Sequence, residues 1–182
     1  MSWAATCVRS PPVSSRPRHG SRDRCGVSET GPLLTMFFYG TLKRGQSNHD
    51  RFCQGAVRIQ PASTFGRLYE LPFGFPGLCV NQGDVRAIGT TDYLADAEKQ
   101  REAPPGSLVP GRDLVHGELI TFEDPERRLI SFDALEGYTP GENSLYQRVL
   151  IPVQSRGESF LAWVYELKRP AGVYLPGGRW PA

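Results

Sequence analysis

Met36-Phe37-Phe38-Tyr39-Gly40-Thr41-Leu42 opens the foldable part of this 182-residue chain. Met36 to Tyr39 is a short apolar and aromatic run that Gly40 ends, the pattern of a buried strand running into a tight loop. A residue without a side chain at that strand end lets successive backbone N–H groups converge on a small anion, a nest suited to a carboxylate or a phosphate. The plainer alternative is a strand-terminating turn. The loop is not a Walker loop, because Gly-x-x-x-x-Gly-Lys-Ser/Thr is missing, and it is not a Rossmann fingerprint.

Upstream, residues 1–35 are rich in Ser, Pro, Gly and Arg and show no hydrophobic periodicity. Such a segment cannot offset its ordering entropy by burial, so a disordered N-terminal tail is expected over 1–35 and one domain over 36–182. Arg and Ser with few acids also characterise organellar transit peptides, but Pro11-Pro12 and Pro17 interrupt any amphipathic helix there. Of 21 Lys/Arg and 19 Asp/Glu, five Arg and two acids sit in the tail, which leaves 16 basic and 17 acidic side chains in a nearly neutral body. Without a basic stripe interleaved with aromatics, a nucleic-acid partner is not expected.

Downstream, Phe52, Ala56 and Ile59 stand at helical spacing and predict a short amphipathic helix over 49–59. Phe65 to Leu71, Gly77 to Val80 and His116 to Phe122 read as strands, with a bend at Pro72, Gly74 and Pro76. Residues 81–113 read as a surface insertion in which Thr91 to Arg101 can form a helix. Tyr146 to Val153 and Ser159 to Leu167 form a hairpin. The expected class is α+β, a small, mostly antiparallel, curled sheet or barrel with flanking helices.

A helix from Asp124-Pro125 to Glu136, stopped by Gly137, carries the second informative segment, Asp133-Ala134-Leu135-Glu136-Gly137. At about 100° per residue, Glu136 falls within roughly 20° of Leu129 on the apolar face, so its carboxylate is predicted to point inward. Burial and the negative end of the helix dipole both raise its pKa towards neutrality, the setting of a general base. Taken alone, a helix-end Glu is more often solvated or ion-paired. Asp133 lies near the same face and is more simply a hydrogen-bonding or surface residue.

Four cysteines, Cys7, Cys25, Cys53 and Cys79, lie far apart with no zinc-type spacing, so no metal is expected and Cys53 and Cys79 are read as small apolar residues. No apolar run approaches the roughly 18–20 residues that cross a bilayer. A soluble, cytoplasmic protein without a membrane partner is expected.

The segment Phe38-Tyr39-Gly40-Thr41-Leu42-Lys43-Arg44-Gly45-Gln46-Ser47-Asn48-His49 resembles the opening of the gamma-glutamylcyclotransferase-like family, most closely its gamma-glutamylamine cyclotransferase branch and bacterial relatives. Gly66-Arg67-Leu68-Tyr69, Gly117-Glu118-Leu119, Leu135-Glu136-Gly137-Tyr138 and Tyr146-Gln147-Arg148 follow in the family's order and extend the likeness over most of 36–167. The resemblance implies a small mixed barrel whose mouth holds a gamma-glutamyl small molecule on Tyr39, Gly40, Thr41 and Leu42, with Glu136 as the catalytic acid/base and no cofactor. It further implies cyclisation of the donor to 5-oxoproline with release of an amine or amino acid, as in glutathione metabolism. Tyr39 and Tyr165 are candidate lining residues. His116 and Glu118 are more simply structural, paired with Arg148 or solvent, and His49 has a capping or surface role. Two other readings remain: a noncatalytic ligand-binding domain on the same scaffold, and a lyase or hydrolase in which Glu136 activates water.

Overall fold

The computed structural model describes residues 1, 31–104, 106 and 113–181; the tail expected over 1–35 falls almost wholly outside them. Strand β1 (Leu34–Phe38) is the run that opens the sequence argument, and both its faces are covered. Leu34, Met36 and Phe38 join one apolar cluster while Phe37 joins another, as period-two alternation requires.

Five strands, β1 among them, close a ring. Strand β1 pairs antiparallel with β5 (Asp113–Phe122), which pairs with the long β2 (Arg58–Glu70), which turns into β3 (Pro76–Val80). Next to β3 runs β7 (Glu158–Leu167), parallel to it at Leu78 and Glu166, and β7 meets β1 in parallel at Met36 and Trp163. Outside the ring, β6 (Tyr146–Ser155) forms the hairpin with β7, β4 (Ala87–Ile88) extends β6, and β8 (Val173–Tyr174) adds to β2. The hairpin turns at Arg156 and Gly157, both with positive φ, the signature of a tight turn that follows the strand twist. The expected barrel with flanking helices is thus observed, antiparallel except at the two junctions made by β7.

One cluster, of strand residues with Leu175 and Trp180, fills the barrel; the other lies between the sheet and the helices. Helix α3 (Pro125–Glu136) buries Leu129 and Phe132, the latter edge-on to Phe38 at 5.2 Å between ring centres. Pro125 occupies its first turn, but Asp124 makes no capping bond and instead holds Arg128 at 2.8 Å.

Two expectations are corrected. The helix predicted over 49–59 is only α1 (His49–Phe52): Gly55 adopts φ 77° and Ile59 already belongs to β2, facing Ile120 across the ladder. The stretch 81–113 is no simple surface insertion, because α2 (Tyr93–Glu102) sinks Asp96 and Ala97 to 0% exposure and Arg148 clamps Asp96 at 3.2 Å.

Candidate active site

The loop after β1 is organised by bonds that occupy its carbonyls. Gly40 O accepts from the Lys43 amide at 3.1 Å, Thr41 O from the Asn48 amide at 3.0 Å, and Leu42 O from His49 Nδ1 at 2.8 Å. Asn48 Nδ2 also holds the Thr41 hydroxyl at 3.0 Å. The amides of Gly40, Thr41 and Leu42 find no acceptor among the described residues, which leaves three successive donors for an external anion. Beyond them, Glu118 takes both the amide and the Nε of Arg44, at 2.8 and 2.7 Å, and Lys43 Nζ donates to Trp180 O. Glu118 is therefore a loop anchor paired with Arg44, not with Arg148. His49 is neither a cap nor a surface group but the ring that fixes Leu42.

Gly40 is demanded by packing. A Cβ there would stand 2.7 Å from Pro76 Cγ, so the loop approaches the start of β3 only without a side chain.

Glu136 is the last residue of α3, and Gly137, at φ 61°, is the left-handed cap that stops the helix. Its carboxylate and the Tyr39–Leu42 loop line one cavity of about 420 Å³, together with Asn48, Phe75, Pro76, Leu145, Tyr146 and Tyr165. No hydrogen bond or ion pair from a described residue reaches the Glu136 carboxylate, and burial alone pushes its pKa up to about 7. Glu136 is half-buried and lines the cavity. The two segments that the sequence reading separated by most of the domain therefore share one pocket.

Asp133, one turn earlier, looks away into a buried polar cluster. It accepts the Tyr165 hydroxyl at 2.5 Å and stands 3.0 Å from Arg148 Nε, while Arg148 Nη2 donates to Thr90 O at 2.8 Å. Desolvation raises the Asp133 carboxyl above its usual range, although Arg148 and the Tyr165 hydroxyl pull the other way. Asp133 Oδ2 has no partner among the described residues.

The cavity tyrosines, two of which sequence reasoning named, spend their hydroxyls on the protein. Tyr39 donates to Tyr165 O at 2.7 Å and Tyr146 to Pro76 O at 2.8 Å, so with Tyr165 on Asp133 they present rings to the pocket, not donors. Burial raises all three phenols above their ordinary value. Phe75 and Pro76 as lining groups were not singled out from the sequence; the Pro72–Pro76 bend was the available signal. Cys53 is buried and its thiol is pushed up to about 12 by desolvation, which fits an apolar filler. Among the described residues no group of three His, Cys, Asp or Glu is placed to hold a metal, and no helix is long and apolar enough to cross a membrane.

A profile of the family described as gamma-glutamyl cyclotransferase, AIG2-like, matches residues 36–102 and 98–182. Gamma-L-glutamyl-butirosin B gamma-glutamyl cyclotransferase from Niallia circulans is 27% identical over 139 residues, covering 75% of this chain and 69% of the relative. Among solved structures, YkqA from Bacillus subtilis superposes with a TM-score of 0.51 at 19% identity, over 81% of this chain but only 39% of YkqA, so the likeness concerns the fold. An AIG2-like protein from Mus musculus aligns at 23% identity and a TM-score of 0.49, over 76% of this chain and 80% of its own. With both matched segments together running from the first strand to the end of the sequence, the chain belongs to the gamma-glutamyl cyclotransferase, AIG2-like, family.

Proposed function

We propose that this protein cyclises a gamma-glutamyl amine or peptide to 5-oxoproline, with Glu136 as the proton carrier and the Tyr39-Gly40-Thr41-Leu42 loop as the substrate anchor. The observation that carries the reading is a carboxyl with a pKa near 7 and no partner among the described residues, lining the same cavity as three free backbone amides.

A gamma-glutamyl donor contains its own nucleophile. The free amides of Gly40, Thr41 and Leu42 suit its alpha-carboxylate, a compact anion, and hold the head of the molecule beside Glu136. Glu136 takes a proton from the alpha-ammonium, and the freed amine attacks the gamma-carbonyl carbon and forms the new C–N bond of a five-membered ring. As the bond to the departing nitrogen breaks, the ring nitrogen gives up its second proton, and both protons, relayed by Glu136, end on the departing nitrogen, which leaves as an ammonium. No electron leaves or enters and no water is consumed. Holding amine over carbonyl converts a slow encounter into a positioned closure, which is where the loop contributes most.

The test is a mass-spectrometric assay of gamma-glutamyl amines, gamma-glutamyl dipeptides and glutathione for 5-oxoproline, with wild type and Glu136→Gln compared. The expected outcome is product from at least one donor and a loss of about a hundredfold or more in the variant, whose circular dichroism is unchanged. Free glutamate in place of 5-oxoproline would indicate activated water; tight binding with no product would indicate a noncatalytic domain. Turnover retained in the variant removes Glu136 from its role.

A further inference from the structure

The cavity is lined by two chemically different sets of groups. The polar set is the Gly40–Leu42 backbone, Asn48 and Glu136. Most of the remaining lining is apolar or aromatic, and two loops contribute to it. In the turn between β2 and β3, Phe75 lines the cavity and Phe73 stacks on it, with ring centres 6.0 Å apart and planes inclined by 15°. From the segment before β6, Leu145 lines it as well. Phe73 is 84% exposed and Leu145 54%, large apolar side chains left in water at the mouth of a cleft. Pro76 and Leu135 add to the apolar lining.

No Lys or Arg is among the residues that line the cavity, and its one ionisable carboxyl is Glu136. The neighbouring tyrosine hydroxyls are already committed to Tyr165 O, Pro76 O and Asp133. A carboxylate carried on the leaving group would therefore lose water without gaining a cation or a free donor, and it would face the like charge of Glu136. An aromatic or branched aliphatic amine would instead cover Phe73, Phe75 and Leu145 and remove their surface from water.

Resting on the cyclotransferase reading for the identity of the head group, we propose that Phe73, Phe75 and Leu145 form the leaving-group subsite and select gamma-glutamyl derivatives of apolar amines over gamma-glutamyl peptides that end in a carboxylate. The residues that hold the gamma-glutamyl head are common to every such donor, so discrimination falls to this rim.

The experiment has two readouts on the full chain. Binding of gamma-glutamyl benzylamide, gamma-glutamyl isobutylamide, gamma-glutamylglycine and glutathione is measured by calorimetry on Glu136→Gln, which reports the subsite whether or not turnover occurs. Cyclisation of the same four donors by wild type is followed by mass spectrometry. The benzylamide is expected to bind at least about tenfold more tightly than gamma-glutamylglycine and to show a correspondingly higher kcat/KM. Phe73→Ala, at an exposed position, should erase most of that preference, and Leu145→Arg should reverse it by supplying a cation to the peptide carboxylate. Equal or tighter binding of gamma-glutamylglycine or glutathione overturns the subsite, as does a preference untouched by both rim variants. No 5-oxoproline from any donor overturns the cyclotransferase reading instead, while the order of binding still decides the rim.

Discussion

At the scale of single residues, what makes Glu136 useful also makes it costly. Burial lifts its pKa from 4.5 to about 7, so near neutrality it exchanges protons readily in both directions. In the proposed role of base it must first be ionised, so kcat/KM should rise with pH through a limb centred near 7 and level off above it. A limb near 4.5 would mean that the carboxylate is solvated or that another group titrates. The same shift enters stability with a definite sign. The folded protein holds this proton more tightly than the unfolded chain, so the contribution is complete below 4.5 and is lost as pH rises to about 7. At 1.36 kcal/mol per unit over the rise from 4.5 to about 7, the loss is at most about 3–4 kcal/mol. Glu136→Gln cannot ionise and escapes it, so its melting temperature should exceed that of wild type at about pH 8 and match it near pH 4. A difference independent of pH would show that Glu136 is not desolvated. Gly40 is the second sensitive residue. Gly40→Ala sets a methyl 2.7 Å from Pro76 Cγ, and the loop must move by more than an amide donor tolerates. We expect a loss of about 1–3 kcal/mol in stability and a fall in kcat/KM larger than that loss explains, read at a temperature where the variant remains folded.

At the scale of elements, α3 was legible because its signals are local: Pro125 at the first turn, Leu129 and Phe132 on one face, Gly137 at the left-handed cap. The orientation of Glu136 followed from that periodicity. The 49–59 segment misled for a related reason, since Phe52, Ala56 and Ile59 satisfy a helical period by coincidence while Ile59 owes its burial to Ile120 of β5. Nothing near Asp96 in sequence announces that it will be fully buried, because its partner Arg148 arrives on β6. Arg148 ties three elements together: Asp96 of α2, Asp133 of α3 and its own strand, with its guanidinium over the Tyr93, Tyr138 and Trp163 rings. Through the Asp133 bond to Tyr165 it also braces a wall of the cavity. Arg148→Met would strand the buried Asp133 carboxylate without a counter-ion and leave Asp96 only Lys99, at 3.1 Å, at a cost of about 3–5 kcal/mol. Tyr165→Phe removes only one hydroxyl from the cluster and should cost about 1–3 kcal/mol. Denaturant midpoints with unchanged m-values check the order, and equal losses would show that Arg148 acts through packing and not through charge.

At the scale of the whole molecule, the barrel closes through contacts that no local pattern encodes. The parallel junctions of β7 with β1 and with β3 join chain segments far apart in sequence, and only the alternation within each strand was readable beforehand. The same holds for the C-terminal segment, which sequence reading left without a role. Leu175 and Trp180 enter the barrel cluster, Gly178 O accepts the His116 amide at 2.8 Å, and Trp180 O accepts from Lys43 Nζ in the loop after β1. The segment thus seals the barrel and tethers the loop after β1 with neighbouring atoms of one residue. Two variants separate these duties. Trp180→Ala hollows the core and should cost about 3–5 kcal/mol, visible as a lower denaturant midpoint. Lys43→Met keeps the core intact and removes only the tether, so its midpoint should shift by less than about 1 kcal/mol. Because the tether acts on the loop proposed to anchor the donor's carboxylate and not on Glu136, the proposed proton carrier, its loss should raise KM several-fold with little change in kcat. A lowered kcat at constant KM in Lys43→Met would mean that the loop serves ring closure itself and not the capture of its substrate.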